Sequence, residues 1–320
     1  MKTNEIHKFF KACLPTTLLV ILILGIIFIS IQPDPKHYYQ GSMLKLDLLK
    51  TTPSPRIIIT GGSNVAFGID SELMEERLKL PVINHGLVVG LGVAPIKELR
   101  DYIKPGDIIV ISLEYYNFAD RVAFFGYPNY LSDWIEFSPQ RVKYLPNPIS
   151  DIPNMATMML QRKVNRQINY YLYGQSLDQF REIYTGDQFN AHGDFTGHLN
   201  INPEDQSAIG SSAYPITILD EAFVFLAGFN RYALSKGARV YYEPQPNRQT
   251  NCEATSDKRL ARFYKTLQKE TSIPVLTPLD QLCLPDEYFF DTPYHLNAEG
   301  RRTRTERLID NLTIALGSGK

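Results

Sequence analysis

The 320-residue chain carries 33 lysine and arginine residues against 34 aspartate and glutamate residues, a formal net charge of −1. This balance leaves no basic surplus and argues against nucleic acid as a partner. Hydrophobic residues make up 44% of the chain. The roughly 285 residues that follow the N-terminal segment are enough for one large domain with a substantial core.

The N-terminal segment has no charged residue between Lys11 and Asp34, and residues 18–31 are almost wholly leucine, isoleucine, valine and phenylalanine. A helix of this composition is long enough to cross a hydrocarbon core of roughly 30 Å. We therefore expect a transmembrane anchor over residues 14–33. A cleaved signal peptide is the alternative, but no pattern of small residues marks a cleavage site.

Lysine outnumbers acidic residues ahead of this anchor, so residues 1–13 are expected to stay in the cytoplasm. Residues 34–55 would then form a linker. Residues 56–320 would form a domain outside the cytoplasmic membrane. The chain is thus expected to be a single-pass membrane protein whose N-terminus lies inside.

Apolar, β-branched runs alternate with helix-like segments along the domain, and this alternation predicts an α/β fold with a parallel sheet covered on both faces. The predicted strands cover residues 56–60, 81–84, 107–113, 238–243 and 273–276. The predicted helices cover residues 71–79, 95–103, 216–235, 257–270 and 298–316.

Residues 119–215 interrupt this alternation and are rich in tyrosine, phenylalanine, asparagine and proline. One helical piece is expected near residues 151–171. We interpret the segment as an insertion over the carboxyl edge of the sheet, where it would cover a substrate. A plain structural cap is the alternative, and the sequence leaves both open.

The three cysteines are few, and Cys13 precedes the apolar run. Cys252 and Cys283 both fall in loops after candidate strands, in a domain expected to face an oxidising compartment. They form either a disulfide or two unpaired buried thiols, and the sequence does not decide between these.

A serine directly follows the first predicted strand, in the Gly-Gly-Ser-Asn stretch at residues 61–64. Such a turn presents Ser63 at the carboxyl edge of a parallel sheet, where open α/β folds keep their ligand crevice. Asp291 and His295, far along the chain, could complete a nucleophile, base and orienting acid. The alternative is an ordinary turn and a surface histidine.

Four blocks in this order resemble the SGNH (GDSL-type) hydrolase family, in particular its membrane-anchored branch of polysaccharide O-acetyltransferases and teichoic acid D-alanine transfer proteins. The chain departs from the usual pattern at Gly62, which replaces an aspartate, and at Tyr115 and Phe118. Three residues, rather than two, separate Asp291 from His295. The blocks cover residues 61–70, 82–92, 111–118 and 291–300.

The resemblance implies a catalytic role for each member of the triad. Ser63 would be the nucleophile, because a serine hydroxyl becomes reactive when a neighbouring base takes its proton. His295 would be that base and would return the proton to the leaving group. Asp291 would fix the imidazole tautomer and stabilise its cation.

The resemblance also implies an oxyanion hole made of the Ser63 backbone N–H, the Gly90 N–H and the Asn117 amide. Donors held in this way are preorganised for the negative charge that develops in the transition state. Gly86 and Gly92 are the alternatives to Gly90, and an ordinary turn-forming asparagine is the alternative for Asn117.

By this resemblance the chain would be a three-layer α/β sandwich with a five-stranded parallel sheet, and a serine O-acyltransferase or esterase, most plausibly acting on acetyl groups. It would act on a polysaccharide of a bacterial cell surface, with a multi-pass membrane acyl exporter as partner and no cofactor. The alternatives are a glycan deacetylase that uses water, and a non-catalytic glycan-binding or assembly subunit on a decayed hydrolase fold.

Three other polar or charged features give weaker signals. His192, Asp194 and His198 lack a strong metal-ligand spacing and read as a structural loop or a sugar contact, with no metal expected. Glu114 has no assigned role. The arginines at residues 301–304 are expected to form a solvated helix face.

Overall fold

The computed structural model describes residues 3–30, 33–173, 183–201, 218–254 and 257–317. Its centre is a parallel sheet of the order β2-β1-β3-β4. Ile59 on the inner strand β1 lies in register with Val110 on β3, and Val110 in turn lies opposite Tyr241 on β4. The strands are β1 (Ile57–Gly61), β2 (Val82–Asn84), β3 (Ile108–Ser112) and β4 (Arg239–Tyr242).

The predicted fifth strand is wrong, because residues 273–276 do not extend the sheet. Val275 makes one isolated parallel bridge to Tyr242, in which the Leu276 N–H donates to the Tyr242 carbonyl. Pro274 accepts from the Tyr242 N–H but has no N–H to return, so the ladder ends after this bridge. The sheet therefore has four strands rather than five.

Side chains alternate between the two faces of the sheet, as strand geometry requires. One face includes Ile58 and Ile109, and the opposite face includes Ile59 and Val110. On the first face lie α2 (Gly41–Thr51), α5 (Ala94–Leu99), α9 (Asp220–Ser235) and α11 (Asp257–Thr271). On the second lie α3 (Ser63–Gly68), α4 (Ser71–Leu78) and α12 (Ala298–Gly317). The predicted α/β class with helices on both faces therefore agrees with the structure.

The predicted insertion packs in a core that it shares with helix α3 and the loop after β2, at the carboxyl edge of the sheet. Trp134 and Phe195 from the insertion pack in one cluster with Phe67 of α3 and Leu87 after β2. Its helices are α6 (Arg121–Phe125), α7 (Pro128–Phe137) and α8 (Pro148–Tyr173), so the helical piece expected near residues 151–171 is present and is longer. Residues 174–182 and 202–215 of the insertion lie outside the described residues.

A second, two-stranded parallel sheet lies after β4. It pairs β5 (Asn247–Arg248) with β6 (Cys283–Leu284), and α10 (Gln249–Ala254) follows β5 directly. Cys252 and Cys283 form a disulfide here, with their Cα atoms 6.2 Å apart. The disulfide resolves the alternative that the sequence left open.

The N-terminal helix α1 (Thr3–Ser30) carries Lys8, Lys11 and Pro15 in its first half. In the part of the chain that the structure describes, no helix has both the length and the apolar character needed to span a membrane. The predicted transmembrane helix is corrected accordingly.

The stretch predicted as a linker, residues 34–55, contains a 3₁₀ turn (Tyr38–Gln40) and α2. Tyr39 of this turn and Leu49 of α2 are buried in the cores described above. The Tyr38 hydroxyl donates a hydrogen bond to the Leu87 carbonyl, so this stretch packs against the loop that follows β2.

Candidate functional site

Ser63 follows β1 after a single glycine, as the sequence predicts, and it is the first residue of helix α3. Gly62 stands between the strand and the helix, and its carbonyl accepts hydrogen bonds from the N–H groups of Val65 and Ala66. The side chain of Ser63 is therefore presented where β1 ends, at the carboxyl edge of the sheet. The residue is 8% exposed.

The loop after β2 packs directly against this turn. A Cβ atom on Gly86 would lie 2.4 Å from the Val65 Cβ, so only glycine allows the approach. The Gly86 N–H donates to the Asn84 side-chain oxygen at 3.1 Å, and the Leu87 N–H donates to the Gly61 carbonyl at 3.4 Å. The first two sequence blocks thus meet as expected, with the Gly86 N–H already bonded.

Asp291 and His295 form a close pair in the loop that precedes α12. The Asp291 Oδ1 atom lies 2.7 Å from the His295 Nδ1 atom, and both side chains are buried. Because a carboxylate only accepts, this bond places the imidazole proton on Nδ1 and leaves the Nε2 lone pair to act as a base. The spacing of three residues between Asp291 and His295 therefore allows this hydrogen bond.

The backbone of His295 is fixed on both sides. Its N–H donates to the Thr292 hydroxyl at 3.1 Å, and its carbonyl accepts from the Phe290 N–H at 2.8 Å. The next carbonyl, that of Leu296, lies 2.8 Å from His198 Nε2. Burial lowers the pKa of His198 to about 3, so the ring is neutral and donates its proton to this carbonyl.

Tyr184, which sequence reasoning missed, is the third member of this pair. Its hydroxyl donates to the Asp291 Oδ2 atom and lies 3.4 Å from the His295 Nδ1 atom. Both oxygens of the Asp291 carboxylate therefore have a donor. Tyr184 belongs to the insertion, and no local sequence pattern connects it with residues 107 positions away.

Phe67 links this pair to the helix that begins at Ser63. Its ring stacks on the His295 imidazole, with centroids 3.9 Å apart and planes inclined by 5°. Phe67 lies four residues after Ser63, so the two side chains occupy the same side of α3 one turn apart. No hydrogen bond joins the described Ser63 hydroxyl to the described imidazole. Such bonds commonly tighten only when a substrate is bound.

Asn117 bonds to the residue before Gly90, so its amide is not free at the site. Its Nδ2 atom donates to the Val89 carbonyl at 3.1 Å and to the Ala123 carbonyl at 2.8 Å, which uses both of its protons. In this structure the amide is thus already bonded, and the oxyanion role of Asn117 stays a prediction. The side chain instead anchors the 3₁₀ turn (Val89–Leu91) that contains Gly90.

Gly90 occupies a crowded position in this turn. A Cβ atom there would lie 2.4 Å from the Tyr130 ring, and the Gly90 carbonyl accepts from the Tyr127 N–H at 2.8 Å. Gly92 adopts a φ of +53°, which favours glycine, and a Cβ there would lie 2.2 Å from the Phe124 carbonyl oxygen. Close packing explains both glycines whether or not either N–H meets a substrate.

The loop that contains His192, Asp194 and His198 is held together by hydrogen bonds. Asp194 is fully buried and accepts from Ser71, Asn84, Asn190 and Arg301. These donors occupy the carboxylate and make the loop a brace between α4, β2 and α12. The expectation that Arg301 and Arg304 face solvent is wrong, because the described α12 buries both of them.

No protein-family model matches this chain, and none of the curated protein sequences matches it. The fold and the site thus define an α/β protein in which a buried aspartate–histidine pair stacks against a helix that begins with serine.

Proposed function

We propose that this chain is a serine O-acyltransferase or esterase that acts outside the cytoplasm on the acetyl groups of a cell-surface polysaccharide. Ser63 attacks the acyl carbonyl while His295 takes its proton, and an acyl-enzyme forms as the leaving group departs. Asp291 holds the imidazole and stabilises its cation. His295 gives that proton to the departing leaving group. A sugar hydroxyl or water then attacks the acyl-enzyme and gives its own proton to His295, which passes it to Ser63 as the serine is released.

The stack of Phe67 on His295 is the observation that carries this proposal. It ties the base to the helix whose first residue is the serine, although the two lie 232 positions apart in the chain. The N–H groups of Ser63 and Gly90 remain the proposed oxyanion donors. The Cys252–Cys283 disulfide supports an oxidising, extracytoplasmic compartment.

The proposed acyl acceptor and acyl donor rest only on the resemblance of the four sequence blocks to the SGNH hydrolase family. A polysaccharide hydroxyl would accept the acyl group, and a multi-pass membrane exporter would supply it. Fold does not dictate the acceptor, so the choice between transfer and hydrolysis rests on experiment.

The test is turnover of p-nitrophenyl acetate by the full chain, with and without an oligosaccharide, together with labelling by a fluorophosphonate probe. We expect Ser63→Ala to abolish labelling and to lower turnover by at least about 10³-fold. The exposed Ser235→Ala is the matched control and should behave as wild type. Formation of acetylated sugar would support transfer over hydrolysis.

The commitment of the Asn117 amide to Val89 and Ala123 favours a second candidate, a non-catalytic glycan-binding or assembly subunit. Labelling and turnover that are unchanged in Ser63→Ala would support this candidate against ours. Acetate released at the same rate with and without sugar, and with no sugar product, would show hydrolysis rather than transfer, as in a glycan deacetylase.

A further inference from the structure

Asn64, the residue after the proposed nucleophile, is held from below by two buried charged side chains. The Asn64 N–H donates to the Glu114 Oε1 atom at 3.1 Å. The Asn64 carbonyl accepts from the Arg304 guanidinium at 2.6 Å. Glu114 therefore holds the peptide plane between Ser63 and Asn64, and Arg304 holds the next one.

Gly62 and Ser112 complete the fit around this turn. A Cβ atom on Gly62 would lie 2.3 Å from the Glu114 Oε1 atom, so the carboxylate occupies the space that a side chain at residue 62 would need. The Ser112 hydroxyl oxygen accepts a hydrogen bond from the Arg304 guanidinium at 2.9 Å. It also accepts one from the Asn64 side-chain amide at 3.4 Å. The end of β3 and helix α12 thus meet beneath the first residues of α3.

The charges in this region are few and almost completely buried. Glu114 is 0% exposed and Arg304 is 4% exposed. A second carboxylate, Glu243 after β4, is also buried and accepts from the Thr277 hydroxyl at 2.8 Å. The two carboxylates share the attraction of Arg304.

Burial sets the protonation of these groups near neutral pH. Loss of hydration raises the pKa of Glu114 to about 7, against the opposing effects of its backbone donors and Arg304. The same cause raises the pKa of Glu243 to about 7. The Tyr38 and Tyr242 phenols also face Glu114, and burial raises the pKa of each, so both stay neutral.

We propose that Glu114 is a positioning residue for the nucleophile: its ionised carboxylate holds the Ser63–Asn64 peptide in the reactive orientation, while Arg304 holds the peptide that follows. Protonation weakens Glu114 as an acceptor and loosens the turn, so activity is lost while the remainder of the fold persists. This inference rests on the proposed function and adds to it a second proton-sensitive group besides His295.

The pH dependence of kcat/KM for p-nitrophenyl acetate tests the proposal. In the proposed mechanism the wild type is active only when the His295 imidazole is free to accept a proton and the Glu114 carboxylate is ionised. The logarithm of kcat/KM should therefore rise with a limiting slope of two on the acid side. Glu114→Gln keeps the shape of the side chain without its charge, so the slope should fall to one.

The same variant should lower kcat by about tenfold or more with little change in KM, because a neutral acceptor holds the Asn64 N–H more weakly. Glu243→Gln is the matched control. It removes the other buried carboxylate beside Arg304 without touching the turn, so it should keep the slope of two and a wild-type kcat.

The outcomes separate this inference from the proposed function. A wild-type slope of one overturns it without any variant, as does Glu114→Gln with wild-type kcat and slope. If Glu114→Gln does not fold, as judged by thermal unfolding, the wild-type slope still decides. A wild type that neither turns over the ester nor takes the fluorophosphonate probe contradicts the proposed function, and this inference falls with it.

Discussion

Asp291 is hydrogen-bonded at both carboxylate oxygens, one to the His295 imidazole and one to the Tyr184 hydroxyl. A buried carboxylate with two donors is held in one orientation, because rotation of the group would break both hydrogen bonds. The imidazole is restrained in turn by its stack on Phe67. At the scale of single residues, the geometry of the proposed base therefore depends on a side chain from the insertion.

Replacing Tyr184 with phenylalanine tests this dependence. The variant keeps the ring and removes the donor to Asp291, and a hydrogen bond to a charged group contributes about 1.5–3 kcal/mol. We expect kcat for an activated acetyl ester to fall about tenfold or more, and the thermal midpoint to fall by a few degrees as the bond is lost. Steady-state kinetics and thermal unfolding measure the two effects.

Tyr288→Phe is the matched control, because it removes a hydroxyl–carboxylate bond to Glu299 on the surface. It should leave kcat as in wild type. If both tyrosine variants are equally active, Tyr184 does not position Asp291 for catalysis.

The region beneath the nucleophile is assembled from the ends of several elements. Helix α3 contributes the turn, the residues after β3 and β4 contribute the two carboxylates, and α12 contributes Arg304. Each element also contributes apolar residues to one of the two cores on the faces of the sheet. Burying charged groups costs free energy unless they are paired. The free energy of unfolding should therefore depend on whether these carboxylates are protonated, and hence on pH.

Glu243→Gln provides the stability test of this cluster. The pKa of Glu243 is about 7 in the folded chain and about 4.3 in the unfolded chain, so between these values the folded state binds more protons. Its contribution to stability is complete below the unfolded pKa and is lost as the pH rises through about 7. The loss is on the order of 3 kcal/mol.

The free energy of unfolding from urea titrations at pH 5 and pH 8 should show this. Relative to wild type, Glu243→Gln should become more stable as the pH rises. Glu306→Gln, which removes an exposed carboxylate from α12, should show no such trend. A constant difference between Glu243→Gln and wild type at both pH values would contradict the assignment.

At the scale of the whole molecule, the site depends on parts of the chain that are far apart in sequence. The four-stranded sheet brings residues 57–61, 82–84 and 108–112 to a common edge. The disulfide joins α10 to β6 across 31 positions, shortly before the loop that carries Asp291 and His295. The cross-link therefore restrains the segment that delivers the proposed base.

Loss of the disulfide should destabilise the chain. Closing a loop of this length reduces the entropy of the unfolded state by an amount worth about 3–4 kcal/mol. We expect the Cys252→Ser, Cys283→Ser double variant to have a lower urea midpoint than wild type. A reductant should lower the wild-type midpoint and leave that of the double variant unchanged.

Cys13→Ser is the control, since Cys13 is the free cysteine of the described residues. It should unfold as wild type does, with and without reductant. A wild-type midpoint that does not respond to reductant would show that the cross-link contributes no stability.

The sequence alone predicted the α/β alternation, the first four strands within a residue or two, and the serine directly after β1. These features are local, because runs of buried β-branched residues and glycine turns specify strands and their ends wherever the chain goes. The residues of the proposed triad were also chosen from sequence, on a resemblance between short motifs.

The tertiary structure decided what depends on partners far along the chain. Pro274 limits the expected fifth strand to one bridge, and the carbonyls of Val89 and Ala123 take the amide that Asn117 was expected to offer a substrate. Tyr184, Glu114 and Arg304 owe their importance to neighbours contributed by other elements. Burial, and with it the pKa of a carboxylate or the freedom of an amide, is a property of the packed molecule, and no local pattern encodes it.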